Sequence, residues 1–280
     1  MKISVLSLFP DILKAFFEDS IMKRAVDKGL VEYELVDIRD FATDRHHKCD
    51  DEIYGGGAGM LMLPGPLGRA LEASGVRPRS DGSATMGRGE KEVVTTDSAD
   101  APRTILLTPS GRLLNQALAR DLSAEKHLVL VCGRYEGVDQ RIVDRYVDDE
   151  VSIGDYVLSS GEVAALVLVD VVYRLVPGVI KGESLAEESF SSHAGEDPGK
   201  SGDVGPTLLE YPQYTRPADY DNLKVPDVLT SGHHAKIIRW RLKEQLRKTL
   251  AYRPELLAKG GLPKVALDLL KEITIEGGDI

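Results

Sequence analysis

The sequence predicts an α/β domain followed by a smaller helical one, and three observations carry this. Short apolar runs, among them 104–108 and 127–131, end in glycine or polar residues. Runs of this length with such punctuation read as buried strands. Helical spacing follows each of them. From Pro217 onward the pattern changes, and Ile238, Leu242 and Leu246 form one helical row.

The elements follow in order. Residues 2–9 predict a first strand. Pro10 and Asp11 open a helix carrying Ile12, Leu13, Phe16 and Phe17, and Gly29 ends a second helix. Residues 33–38 alternate partly and predict another strand. Residues 64–73 predict a helix. From 75 to 103 the chain is polar and small, which reads as a mobile insertion. After the strand at 104–108, Pro109-Ser110-Gly111-Arg112 is expected to turn into a helix over 113–122. Gly133 opens a tight turn after the strand at 127–131. Ile142, Val143 and Tyr146 mark a short helix, 151–153 a further apolar run, and 163–175 a strong helix. Residues 184–216 are rich in Gly, Ser, Asp and Glu and read as a flexible interdomain linker. Ser231 is the expected N-cap of a helix running to about residue 251.

Composition narrows the function. At 280 residues the chain is long enough for two domains. A net charge of −10 argues against a generic nucleic-acid binder, although local charge decides contact. Two cysteines, Cys49 and Cys132, make no disulfide framework and fit a reducing cytoplasm. The N-terminus reads as a strand rather than a signal peptide. No segment has the ~18 apolar residues of a membrane helix. A cytoplasmic protein without a membrane partner is therefore expected.

Two motif readings fail on spacing. His46, His47 and Cys49 lack the second ligand pair of a zinc site, so no metal is expected there. The run Gly55-Gly56-Gly57-Ala58-Gly59 lacks a following Gly-Lys-Ser/Thr and the GxGxxG spacing. It remains a backbone platform for a flat ligand.

The stretch from Cys132 to Glu162 is the most informative. Its strand ends carry glycine and polar residues, and helices follow them. Ligands in open α/β sheets sit at the carboxyl ends of strands, and glycine lets backbone approach them. The alternative is a pair of ordinary turns. The loop after 104–108 would face the same crevice. In the C-terminal region Lys236, Arg239, Lys243 and Arg247 recur along one helix beside Trp240. They are either a solvated face or a phosphate-tracking stripe.

The residues then add a resemblance. GRYEGVDQR at 133–141 and SIGDYVLSSGE at 152–162 resemble the bacterial tRNA (guanine-37-N1) methyltransferases, members of the knotted superfamily of S-adenosyl-L-methionine-dependent enzymes. SLFP at 7–10, DRHHKCDDEIYGGGAGMLM at 44–62, RLVPGV at 174–179, YPQYTRP at 211–217 and LTSGHHAKIIRWR at 229–241 agree in the same order. The resemblance implies a trefoil-knotted, parallel-sheet methyltransferase domain at 1–183, with the insertion at 75–103. A linker at 184–216 and an all-α, tRNA-binding domain at 217–280 follow. It also implies an obligate homodimer with the pocket between subunits, S-adenosyl-L-methionine as donor, and Mg²⁺ as an optional second cofactor.

By the same resemblance, Thr108, Pro109, Gly133, Tyr135, Ile153, Gly154, Asp155, Tyr156, Val157, Leu158 and Gly161 hold the cofactor. Asp50, Tyr54, Gly59 and Glu136 contact the target guanine or its pocket. Arg174 and Glu188 are catalytic. The family's base is an Asp in an acidic-Asp-Ser-Phe motif, and here Glu187-Glu188-Ser189-Phe190 places a Glu there. Asp197 and Asp203 are reserve candidates. Two rivals stand beside this reading: a knotted methyltransferase of ribosomal RNA, and an RNA-binding protein that has lost its catalytic base.

Overall fold

The computed structural model describes residues 1–79, 101–186, 188–190, 207–259 and 261–277. They fall into two compact units, Met1–Ile180 and Lys181–Ile280.

The first unit is built on five parallel strands. These are β1 (Lys2–Ser7) and β2 (Glu32–Asp37), then, after the short antiparallel pair β3 (Asp50–Glu52) and β4 (Met60–Met62), the strands β5 (Arg103–Leu113), β6 (His127–Cys132) and β7 (Asp149–Ser152). Their order across the sheet is β2-β1-β6-β5-β7. Helices α1 (Asp11–Phe17), α2 (Ser20–Asp27), α3 (Pro64–Ala73), α4 (Gln116–Ser123), α5 (Gln140–Tyr146) and α6 (Gly161–Tyr173) and a 3-10 turn (Ile38–Phe41) join them in the unit. The apolar run in β6 has a direct cause. Leu128 and Leu130 pack into one core with α1, α2, α4 and α6, while Val129 and Val131 pack into a second with α3 and α5. A strand buried on both faces has no polar positions to alternate with. Burying each such side chain contributes about 1.5–3 kcal/mol.

The third strand departs from the sequence reading. Residues 109–112 do not lead into a helix at 113. Both Leu107 and Arg112 lie in register with Val151, so residues 108–111 leave the sheet as a loop and the strand then resumes. Gly111 makes this possible, because a Cβ there would lie 2.4 Å from the Val151 backbone nitrogen. The helix starts at Gln116, after Asn115 Oδ1 accepts from the Leu118 N–H at 2.9 Å. Salt bridges clamp the base of the loop. Asp149 takes Arg103 Nε at 2.7 Å and Arg112 Nη2 at 2.8 Å. Burial works against the Arg103 charge, but hydrogen bonds and attraction from Asp149 and Asp121 outweigh it and raise its pKa.

The flanks of the expected insertion at 75–103 are fastened. Val76 is buried in the second core. Arg79 Nη2 donates to Val147 O at 2.7 Å and pairs with Asp148 at 2.9 Å. Residues 80–100 lie outside the described residues.

The second unit contains α7 (Gly182–Ala186), β8 (Asp219–Tyr220), β9 (Leu223–Lys224), α8 (Asp227–Thr230), α9 (His234–Tyr252), a 3-10 turn (Pro254–Lys259) and α10 (Lys264–Gly277). It is therefore not all-α. Asp221 and Asn222 both take positive φ, and such a two-residue loop closes a hairpin. Ser231 does not cap α9. Its Oγ donates to Val228 O at 2.7 Å and closes α8, while His233 precedes α9 without a side-chain cap. Part of the expected linker is core. Leu208 is buried with Leu246, Ala266, Leu269 and Ile273, and the Leu209 N–H donates to Thr249 Oγ1 at 2.9 Å. Among the described residues no helix is long and apolar enough to cross a membrane.

Candidate active site

A cleft of about 230 Å³ opens at the carboxyl ends of β5, β6 and β7. Three loops build it: 108–111 after the first part of β5, 133–138 after β6, and 153–160 after β7. Backbone hydrogen bonds tie them together. The Gly161 N–H donates to Gly133 O at 2.9 Å, and the Leu114 N–H to Ser152 O at 2.8 Å. The glycine-rich segment joins from the side. The Glu136 N–H donates to Met60 O at 3.0 Å, and the Met62 N–H to Gly137 O at 3.0 Å.

Local conformation is set by the sequence at two places. Tyr135 takes φ +59°, an uncommon conformation for a side chain other than glycine. Such strain clusters at functional sites and costs about 1–3 kcal/mol. Gly154 takes φ +155°, and a Cβ there would lie 2.3 Å from the Tyr156 ring. That ring folds back, and its hydroxyl donates to Ile153 O at 3.1 Å.

Ten of the eleven expected cofactor positions line the cleft: Thr108, Pro109, Gly133, Tyr135, Ile153, Gly154, Tyr156, Val157, Leu158 and Gly161. Asp155 does not, and it is exposed. Glu136 lines the cleft as well. Gly59 sits against it, because a Cβ would lie 2.5 Å from Glu136 Cγ. Asp50 lies near Tyr135. Burial first, and then the Asp50 carboxylate, push the Tyr135 phenol up. Tyr54 is 97% exposed. Arg174 is half-buried just after α6, in the first unit. Glu188 is half-buried at a bend after α7, in the second unit. Glu187, Asp197 and Asp203 lie outside the described residues.

A buried polar network was not legible as such. Glu162, fully buried in the first turn of α6, accepts from Ser7 Oγ at 2.6 Å. Arg134 Nε approaches its two oxygens at 3.2 and 3.1 Å. The Arg134 guanidinium lies 4.5 Å over the Phe9 ring, and the Phe9 N–H donates to Ser7 Oγ at 2.8 Å. Three distant motifs thus meet beside the cleft. Their glycines and serines mark turns, but nothing in their spacing indicates a shared ion pair.

The basic row on α9 is largely neutralised. Lys243 pairs with Glu272 at 3.2 Å and Glu276 at 2.6 Å, Arg247 with Glu276 at 2.8 Å, and Arg239 with Glu272. Hydrogen bonds from Lys243 are the leading reason that both carboxyls sit below their ordinary value. Lys236 and Lys248 are exposed and make no ion pair among the described residues. Among those residues no cluster of three or more metal-ligating side chains occurs.

The family model described as tRNA (Guanine-1)-methyltransferase TrmD matches residues 1–259. The tRNA (guanine-N(1)-)-methyltransferase of Treponema denticola is 51% identical over 280 residues, covering 99% of this chain and 100% of the relative. That of Treponema pallidum is 50% identical over 282 residues, covering 99% and 97%. That of Borrelia duttonii is 51% identical over 259 residues, covering 92% and 93%.

Proposed function

The chain belongs to the tRNA (guanine-1)-methyltransferase family, and on that premise we propose that it methylates N1 of guanosine 37, next to the tRNA anticodon, with S-adenosyl-L-methionine as donor. The observation that carries the finer reading is the cleft itself. Three strand-end loops, chosen from the sequence as cofactor loops, converge on one cavity. Their residues fit the donor. Pro109, Ile153, Leu158 and Val138 offer apolar surface, and the glycines leave backbone groups accessible. When bound, the donor supplies an electrophilic methyl group.

The chain's own residues have three tasks in this reading. N1 of guanine carries a proton at neutral pH, so a base must take it. Glu188 is the proposed base, and positioned general bases contribute roughly 10²–10⁴-fold. Arg174 stabilises negative charge developing on the guanine O6. Glu136, at the cleft, accepts from the base's N–H groups and fixes its orientation.

The assembly belongs to the same proposal: a homodimer with the pocket at its interface, and a trefoil knot in the first unit. Val163 and Val167 on α6 and Ile12 on α1 are exposed apolar side chains, which supports a partner there. The return of the chain from edge strand β7 to pack α6 against β6 supports the knot. The helical unit is the proposed tRNA platform, with exposed Lys236 and Lys248 in place of the neutralised Arg239, Lys243 and Arg247. The proposed compartment is the cytoplasm. A chelator series decides whether Mg²⁺ is required.

The Glu188 series tests the mechanism. Glu188→Gln keeps the shape and removes the proton acceptor. Donor and tRNA binding should persist while single-turnover methylation falls by about 10²-fold or more. Glu188→Asp should retain much of the rate. Near-native turnover in Glu188→Gln would pass the role to another group.

A further inference from the structure

We infer that Glu162 and Ser7 are positioning residues that hold Arg134, and with it the 133–137 loop, in the shape the donor requires. The inference rests on the methyltransferase reading of the cleft. It begins with an unusual burial. The Glu162 side chain is wholly removed from solvent. A carboxylate is expensive to bury unless it is paired and hydrogen-bonded. Its partners are Ser7 Oγ at 2.6 Å and Arg134 Nε at 3.2 and 3.1 Å. Each comes from a different place: Ser7 from the end of β1, Arg134 from the loop after β6, and Glu162 from the start of α6.

Arg134 is the member that reaches the cleft, which it lines. Only its Nε is committed to Glu162. Nη1 and Nη2 make no hydrogen bond or ion pair among the described residues, and the guanidinium face rests on Phe9. The loop it belongs to needs such an anchor. Tyr135 is held at φ +59°, so the backbone there does not settle by local preference. Glu162 itself does not line the cleft. It acts through Arg134, so removing its charge should affect the ligand only by releasing that side chain and its loop.

The test uses the full-length protein, with S-adenosyl-L-methionine titrated by calorimetry and loop amides followed by hydrogen exchange. Glu162→Gln should raise the donor Kd about tenfold, and Glu162→Asp should recover part of the loss. Arg134→Gln should raise Kd by a similar factor, and adding Glu162→Gln to it should change Kd little further. In Glu162→Gln, amides 134–137 should exchange faster while those of β6 remain protected. If Glu162→Gln does not fold, Ser7→Ala carries the test. It should raise Kd about threefold in the wild-type background and not in Arg134→Gln. Losses that multiply as independent effects, or unchanged exchange in the loop, overturn the inference. A wild-type protein that binds no donor defeats the methyltransferase reading instead, and the exchange measurement still decides this one.

Discussion

Replacing Gly161 with alanine tests whether the three loops of the cleft, the proposed donor site, work as one unit. A Cβ on Gly161 would lie 2.6 Å from the Gly133 nitrogen, 2.8 Å from Cys132 Cα and 3.0 Å from its carbonyl carbon. Ordinary contact begins at 3.4 Å, so the loops must part by about 0.8 Å. The atoms in the way are backbone, which cannot rotate aside like a side chain. Overpacking of this kind costs about 1–3 kcal/mol. Replacing glycine in a helix returns up to about 1 kcal/mol. The remaining loss of about 0–2 kcal/mol lowers Tm by up to roughly 8 °C in a unit of this size. The effect on function should be larger, because a ~1 Å misplacement can cost about 10²-fold in rate. Thermal melts give the first quantity, and donor calorimetry with single-turnover methylation gives the second. Wild-type affinity and rate in Gly161→Ala would refute the idea that the contact between Gly133 and Gly161 sets the cleft.

Two further predictions follow. Gly154→Val should abolish donor binding in a folded protein, because φ +155° strains any side chain and the new Cβ meets the Tyr156 ring; calorimetry beside circular dichroism checks both halves. The packing of α9 on α10 should depend on pH. The Glu272 and Glu276 carboxyls lie below their ordinary value of 4.5, so their contribution is present above it and is lost as pH falls through the depressed values. Lys243 lies above its ordinary 10.5, mainly through the Glu276 hydrogen bond, so its contribution is lost as pH rises through its raised value. Melts across pH should show both edges, and Lys243→Ala with Arg247→Ala should flatten them while leaving the salt slope of tRNA binding unchanged.

Much of the sheet was legible because β6 is buried on both faces, so its run from Leu128 to Val131 admits no polar residue. The loops that line the cleft were legible for a related reason: glycine marks backbone that must bend or be approached. Other features depend on contacts between distant residues. Gly111 suits a turn and a bulge equally, and only its approach to Val151 selects the bulge. Leu208 sits beside a stretch rich in glycine and serine, and its burial depends on Leu246 and Leu269 across the unit. The basic row on α9 reads equally as a solvated face or a phosphate stripe until Glu272 and Glu276 stand opposite it. The union of Ser7, Arg134 and Glu162 spans 155 residues of sequence, and no local pattern announces it.

The central claim is methyl transfer to N1 of guanosine 37, and one assay addresses it. The protein is incubated with labelled S-adenosyl-L-methionine and a tRNA transcript carrying G37, beside the same transcript with G37 replaced by adenosine. Nuclease digestion and mass spectrometry then locate the methyl group. One methyl on N1 of G37 in the first transcript, and none in the second, is the result expected. Equal methylation of both transcripts, or a methyl group on any other position, would contradict the account.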